Sequence, residues 1–441
     1  MGLPIANRIT NYLDQNRGWI FVIYASFVAF MTYSCMYAFR KPFSVATFEG
    51  QYLWGLHLKI WLIAAQILGY TLSKFIGIKV VSEMTAGKRA IAIVALICVA
   101  ETSLFFFGLV PSPYNIVFLF INGLPLGMIW GFVFSYLEGR KYTEMLGAGL
   151  SVSFIFASGF VKTTGKWLMV EHGVSEFWMP FQTGLIFLLP LLLSVYLLNL
   201  LPPPSKEDIE MRTERKTMNG KQRIEFSKKF STVIVVLILA YALLSIFREI
   251  RDNYAAEIWA ALGYEDNPEI FTTAEIPVGL LTLAVMGLVT FIRSNIKALF
   301  SIITLIIVGF SIIGVATYLF ENRIIGGHIW MIATGFGLYM GYIPFNALLF
   351  ERMIAAFKYT SNIGFVIYLA DSFGYLSSIA SFSLKNFFSP SISWLNFFVQ
   401  SSYYVAFAGV GFMVISLRWF YRKYYRVNEC TSALLNNSKS E

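Results

Sequence analysis

PPPSKEDIEMRTERKTMNGKQRIEFSKKF, Pro202 to Phe230, is the one long polar interruption in a chain that otherwise reads as apolar. It mixes eight basic with five acidic residues and holds no sustained hydrophobic period, so it cannot bury a core of its own and reads as a tether. On both sides lie apolar runs of about 20 residues, the length that crosses the hydrocarbon layer of a bilayer. They fall near 18–39, 57–81, 89–111, 113–137, 146–169 and 178–201 before the tether, and near 230–256, 271–292, 296–320, 327–350, 359–386 and 395–421 after it. The expected architecture is an all-α integral membrane protein with twelve transmembrane helices. A six-helix bundle at 18–201 is followed by a linker at 202–229, a second six-helix bundle at 230–421 and a tail at 422–441. The first run opens at Gly18 and Trp19 and continues past Tyr37 without a small-residue cleavage pattern, so it reads as a retained helix rather than a signal peptide.

Composition agrees. The 441 residues are 57% hydrophobic and only 13% charged, with a mean hydropathy of +0.65, which excludes an ordinary soluble core. A net charge of +9 would suit a nucleic-acid binder if the basic residues gathered on one surface. They are distributed by connector instead: Lys88 and Arg89, Arg140 and Lys141, the linker, Arg293 and Lys297, Arg352 and Lys358, and the tail from Arg418 to Arg426. Alternate connectors are poor in Lys and Arg, and the one after the seventh run carries Glu257, Glu265, Asp266 and Glu269. The positive-inside rule then places both termini on the cytoplasmic side of a cell (inner) membrane. Cys35, Cys98 and Cys430 build neither a disulfide framework nor a metal site, and His57, His172 and His328 all stand near helix ends. No metal-ligand cluster and no nucleophile with its base is found, so the chain is not expected to be an enzyme or to carry a cofactor.

The two halves share a motif. GLPLGMI, Gly123 to Ile129, recurs as GLYMGYI, Gly337 to Ile343, 214 residues later on the fourth helix of the other half, and a charged exit follows each copy: Glu138 with Arg140, and Glu351 with Arg352. Such pseudo-symmetry suits a secondary transporter with its site between two halves near the midplane.

Candidate site residues come from polar stripes at helical spacing. The second run carries Gln66, Gly69, Tyr70, Ser73, Lys74 and Gly77; the first carries Ser26, Tyr33, Tyr37 and Arg40. The fifth offers Ser151, Ser158, Lys162 and Lys166, and the eleventh Tyr368, Asp371, Ser372, Tyr375 and Ser378. For Gly and Ser the plain reading is close helix packing. A cation at the bilayer centre costs roughly 2.5–3.5 kcal/mol and is normally there to meet something. Lys74 lies nine residues before Glu83, a long way for a lysine to snorkel. For Lys162 the plain reading is an ion pair with Glu351 or Asp371. Arg40 and Arg248 come about 20 residues into the first helix of each half. Two readings stay open for them: a pair of guanidinium forks converging on an anion, or two interfacial residues with Arg248 paired to Asp252 at i, i+4.

Several stretches also resemble one family. YAFRKPFSVA (Tyr37 to Ala46), GYTLSKFIG (Gly69 to Gly77), GMIW (Gly127 to Trp130), FREIRD (Phe247 to Asp252) and SFGYL (Ser372 to Leu376) resemble the organophosphate:phosphate antiporters of the major facilitator superfamily, the group that includes glycerol-phosphate and hexose-phosphate transporters. The resemblance implies the major facilitator fold, with Arg40 and Arg248 binding the substrate phosphate beside Lys74. It further implies that Tyr33, Tyr37, Tyr70, Trp130, Tyr339 and Tyr375 line the cavity. The chain departs from that pattern on the fifth helix, where Ser158 and Lys162 stand in the region of a family histidine, and in the Ser82 to Arg89 loop, a degraded gating motif. Glu275 and Asp371 are additional acids and candidate coupling groups. The expected activity is secondary transport of a small organic anion, an organophosphate or sugar phosphate in exchange for phosphate, by a monomer whose other partner is membrane lipid. Two alternatives stay open: a proton-coupled symporter of a carboxylate or other organic anion, and a non-transporting membrane sensor of sugar phosphates.

Overall fold

The computed structural model describes residues 5–140, 143–210, 220–357, 370, 373–374, 376–378, 380 and 392–437. Before the linker these form α1 (Ile5–Gln15), α2 (Trp19–Tyr37), α3 (Leu58–Glu83), α4 (Arg89–Leu109), α5 (Ile116–Phe134), α6 (Thr143–His172) and α7 (Met179–Asn199). After a one-turn α8 (Lys206–Glu210) come α9 (Gly220–Asn253), α10 (Ala255–Ala261), α11 (Ile270–Thr290), α12 (Asn295–Glu321), α13 (Gly327–Ala347), α14 (Leu349–Ala356) and α15 (Trp394–Asn437). Ten described helices are long and apolar enough to cross a membrane, and α13 with α14 makes an eleventh if that bent pair is one span. The pair is bent by 47°; Pro344 in the last turn of α13 withholds a backbone donor there. The run expected near 359–386, with Asp371 and Tyr375, lies outside the described residues apart from a few positions.

The expected boundaries hold within a few residues, with two differences. The linker is not a tether throughout, because α9 already begins at Gly220, and the tail continues α15 as far as Asn437. Extending an existing helix adds one hydrogen bond per residue without a new nucleus, so flanking Lys, Gln, Arg and Glu are drawn into it.

In the first half α3 packs on α5, α4 on α5 and α7, and α2 on α6 and α7. In the second, α12 packs on α13 and α15, α9 on α15, and α11 on α13. The halves meet where α6 packs along α11. Side chains that point away from these contacts are apolar, for instance Leu189, Leu288 and Phe407 at 75%, 68% and 88% exposure, as a lipid-facing rim requires. The α3–α5 crossing is the tightest of those that bear on the site. A Cβ on Gly69 would stand 2.2 Å from the Phe120 carbonyl oxygen, and one on Gly123 would stand 2.4 Å from that of Gln66. Only glycine lets the two backbones touch.

The repeated motif lies on α5 and α13 as expected, but its leading glycines meet non-equivalent neighbours. Gly123 faces α3, whereas Gly337 faces Gly309 on α12, the third span of its half.

The bundle has two ends: a linker end with α1, α8 and residues 84–88 and 291–294, and a far end with a 3₁₀ turn at Pro42–Val45, a small hairpin (Tyr52–Leu53 with Leu56–His57) and α10.

Candidate functional site

Pro42 creates the first half of the site. It has no N–H to donate, so the helical hydrogen-bond ladder cannot continue through it; α2 stops at Tyr37 and the chain passes through a turn into the 3₁₀ segment. Arg40 and Lys41 stand in that turn, both 3% exposed. The Arg40 guanidinium lies 3.7 Å from the centroid of the Tyr70 ring on α3, and Lys74, one turn on from Tyr70, holds its Nζ 5.5 Å from the same centroid. A guanidinium laid on an aromatic face keeps its in-plane N–H groups for hydrogen bonding.

The second half mirrors this with different residues. Arg248, near the end of α9, sits 4.5 Å over the ring of Tyr342 on α13. Tyr342 stacks on Tyr241 with centroids 5.2 Å apart, and Tyr241 donates a 3.0 Å hydrogen bond to the Tyr342 hydroxyl. Lys41, next to Arg40 in the chain, and Arg248 both reach Glu249 on α9, at 3.7 and 2.5 Å.

Around them runs a set of buried ion pairs. Asp252 on α9 is gripped by Lys41 from the first half's turn and by Lys162 from α6, and the Ser158 hydroxyl donates to its Oδ1 at 2.5 Å. Lys162 also donates to the Asp252 carbonyl at 2.6 Å. Glu249 takes Arg248 at 2.5 Å, has Lys41 at 3.7 Å, and accepts from Asn253 at 2.7 Å. Arg251 pairs with Glu275 on α11 at 2.5 Å and donates to the Met331 carbonyl at 3.1 Å. Nearer the far end Lys59, 1% exposed, donates to the Ser44 carbonyl at 2.8 Å and to Glu257 on α10 at 2.6 Å. Three of these links, at Asp252, Glu249 and Glu257, join the halves. Among the described residues, six cations (Arg40, Lys41, Lys74, Lys162, Arg248, Arg251) gather with three carboxylates, Glu249, Asp252 and Glu275.

The expected residues therefore divide. Arg40, Tyr70 and Lys74 form one cluster, Arg248 is linked to the same turn through Glu249 and Lys41, and Ser158 and Lys162 are linked to it through Asp252. Lys162 pairs with Asp252, an acid not named for it from the sequence, while the expected Asp371 lies outside the described residues; Glu275, the candidate coupling acid, is engaged by Arg251. Asp252 itself is not spent on a local pair with Arg248 but bridges two lysines of the other half. Tyr33 makes an edge contact with Tyr37 at 5.5 Å and with Phe154 at 5.4 Å, and Tyr339 lies edge-on to Tyr342 at 6.5 Å. Trp130 stacks on Phe134 at 4.9 Å, and among the described residues its Nε1 meets no acceptor. Asp371 and Tyr375 lie outside the described residues. Sequence reading passed over Lys41, Glu249 and Asn253 as site residues and took Asp252 only for a local pair; their signal was the charge density of the YAFRKP and FREIRD segments themselves. No group of three or more His, Cys, Asp or Glu among the described residues could hold a metal ion.

Comparison with solved structures finds major facilitator transporters. A D-xylose-proton symporter matches with a TM-score of 0.58 at 16% identity, covering 90% of this chain and 97% of that one. The nucleoside transporter NupG matches at 0.56 and 11% identity over 91% and 99% of the two chains. The inward-open xylose transporter XylE from E. coli matches at 0.56 and 15% over 90% and 95%. A search of curated proteins returned no match. Residues 42–423 match the family of unknown function DUF5690. The chain belongs to that family, and its fold is the major facilitator fold.

Proposed function

We propose that the protein is a secondary transporter that carries a small organic anion between its halves by alternating access, and that the anion is an organophosphate or sugar phosphate exchanged for inorganic phosphate. The observation that carries this is the pair Arg40 and Arg248, one from each half, each laid on a tyrosine face, with Arg248 and the neighbour of Arg40, Lys41, both at Glu249. Two guanidinium forks suit the several oxygens of a phosphate better than those of a single carboxylate.

Exchange follows from the placement of basic residues on both halves. Cations from the two halves repel one another when the site is empty, whereas an anion shared by both lets the halves rock together, so only the loaded protein crosses. The ion pairs at Asp252 and Glu257 hold the far end shut, and with the termini cytoplasmic that end is the outer gate. The test is counterflow in proteoliposomes: labelled phosphate or glycerol 3-phosphate enters vesicles preloaded with phosphate and stays out of empty ones. Equal uptake into empty vesicles overturns exchange.

A proton-coupled reading has one observation of its own, the Glu275 Oε2, which is buried and among the described residues meets no hydrogen-bond donor. Uptake driven by a pH gradient and abolished by Glu275→Gln would favour that reading over exchange.

A further inference from the structure

Arg40 sits on a break in regular backbone that is buried among other helices. Between Tyr37 and Pro42 the chain is neither helix nor strand, and every carbonyl exposed by the break needs a donor where water is scarce. Tyr37 O accepts from Arg40 N and Lys41 N at 3.0 and 2.9 Å. Two carbonyls further along the break, those of Phe39 and Arg40 itself, are met by side chains of other helices. Asn122 Nδ2 on α5 donates to Phe39 O at 3.0 Å, and Gln66 Nε2 on α3 donates to Arg40 O at 2.9 Å.

The two amides are also bound to each other. Gln66 Nε2 donates to Asn122 Oδ1 at 2.9 Å, and Asn122 Nδ2 spends its second proton on Ala100 O of α4 at 3.1 Å. Both Asn122 donors thus face carbonyl oxygens, which fixes the amide's orientation without ambiguity. Asn122 is 0% exposed and Gln66 3%. The pair exists only because Gly69 and Gly123 bring α3 and α5 into backbone contact beside it.

We propose that Gln66 and Asn122 are positioning residues for the anion site: a buried amide clamp that holds the broken end of α2 so that the Arg40 guanidinium lies on Tyr70. The proposal rests on the reading of Arg40 as an anion ligand. Neither amide touches the ligand; both act through the Arg40 backbone. The clamp ties α2, α3, α4 and α5 of one half together and, among the described residues, makes no bond to the other half, so it keeps the site's geometry within that half while the halves move.

The test measures equilibrium binding of inorganic phosphate to the purified full chain. Gln66→Leu keeps the volume and removes both Gln66 donor bonds; Asn122→Ala removes the amide and is the variant at greater risk of misfolding. Each is made alone and with Arg40→Ala. The half-saturating phosphate concentration is expected to rise about tenfold in Gln66→Leu, the effect of losing one well-aligned arginine contact. It is expected to rise no further when Gln66→Leu is added to Arg40→Ala, because a positioning residue has nothing left to position. A folded Gln66→Leu protein with wild-type binding overturns the clamp. So does the same fold-loss in the Arg40→Ala background, which would mark a general packing role. Wild-type protein that binds neither phosphate nor glycerol 3-phosphate overturns the anion site and the clamp with it, an outcome distinct from the other two.

Discussion

Asp252→Ala removes the one carboxylate that both Lys41 and Lys162 grip across the seam between the halves. Each lysine side chain is 4% exposed, so neither can turn to water without the halves moving. Breaking a buried pair by deleting one partner costs about 3–5 kcal/mol, chiefly from the charge left behind. Here two like charges are left, although Lys41 retains Glu249 at 3.7 Å and Asn253 Oδ1 at 3.1 Å, and the greater part falls on Lys162. The protein can escape the penalty by parting its halves at the far end, which shifts that equilibrium toward opening by roughly two to three and a half powers of ten. A reporter is available at Thr163, whose hydroxyl donates to the Pro268 carbonyl at 2.9 Å across the same seam. In a background lacking Cys35, Cys98 and Cys430, a Thr163→Cys protein is labelled with an impermeant maleimide from the outer side. Labelling is expected to be slow with Asp252 present and at least about a hundredfold faster with Asp252→Ala. It should slow again in the Asp252→Ala, Lys162→Met double variant, where the uncompensated cation is gone. Unchanged labelling in the single variant, or equal labelling in single and double, would refute the bridge as the lock.

Arg40→Lys keeps the charge but loses the planar face on Tyr70 and the fork of donors; phosphate binding measured at equilibrium should weaken about tenfold or more, while the melting temperature changes little. Lys59→Met strands Glu257 in its buried position and should lower the melting temperature, and the Lys59→Met, Glu257→Leu double variant should recover most of the loss. Gly123→Ala would place a Cβ 2.4 Å from the Gln66 carbonyl oxygen and 2.8 Å from the Tyr70 nitrogen. It should cost about 1–3 kcal/mol by separating α3 from α5. Gly87→Ala, with open space around its Cβ, should be neutral in the same melting assay.

Much of the fold was legible because lipid imposes a simple code. Apolar runs of membrane length, broken by connectors with alternating charge, locate α2 to α7 and α11 to α13, and the C-terminal end of α9, to within a few residues. The stripe Gln66, Tyr70, Lys74 was legible for the same reason: helical spacing puts these side chains on one face, and the structure places all three beside the end of α2. Partners across the seam were not legible. Lys162 and Asp252 are 90 residues apart, and nothing local distinguishes Asp252 from Glu351 or Asp371 as the acid Lys162 will meet. Spacing favours the i, i+4 pairing of Arg248 with Asp252, and tertiary packing overrides it by bringing two lysines of the other half to the same carboxylate. Asn122 was missed for a different reason. A lone amide in an apolar helix carries no periodic signal, and its role depends on a break in α2 that only Pro42 announces.

The central claim is that two halves share an anion through Arg40 and Arg248, and counterflow tests it most directly. Proteoliposomes loaded with inorganic phosphate should take up labelled phosphate or glycerol 3-phosphate, vesicles without internal phosphate should not, and Arg40→Ala and Arg248→Ala should each abolish the exchange. Uptake that is indifferent to internal phosphate, or that survives loss of either arginine, would contradict the account.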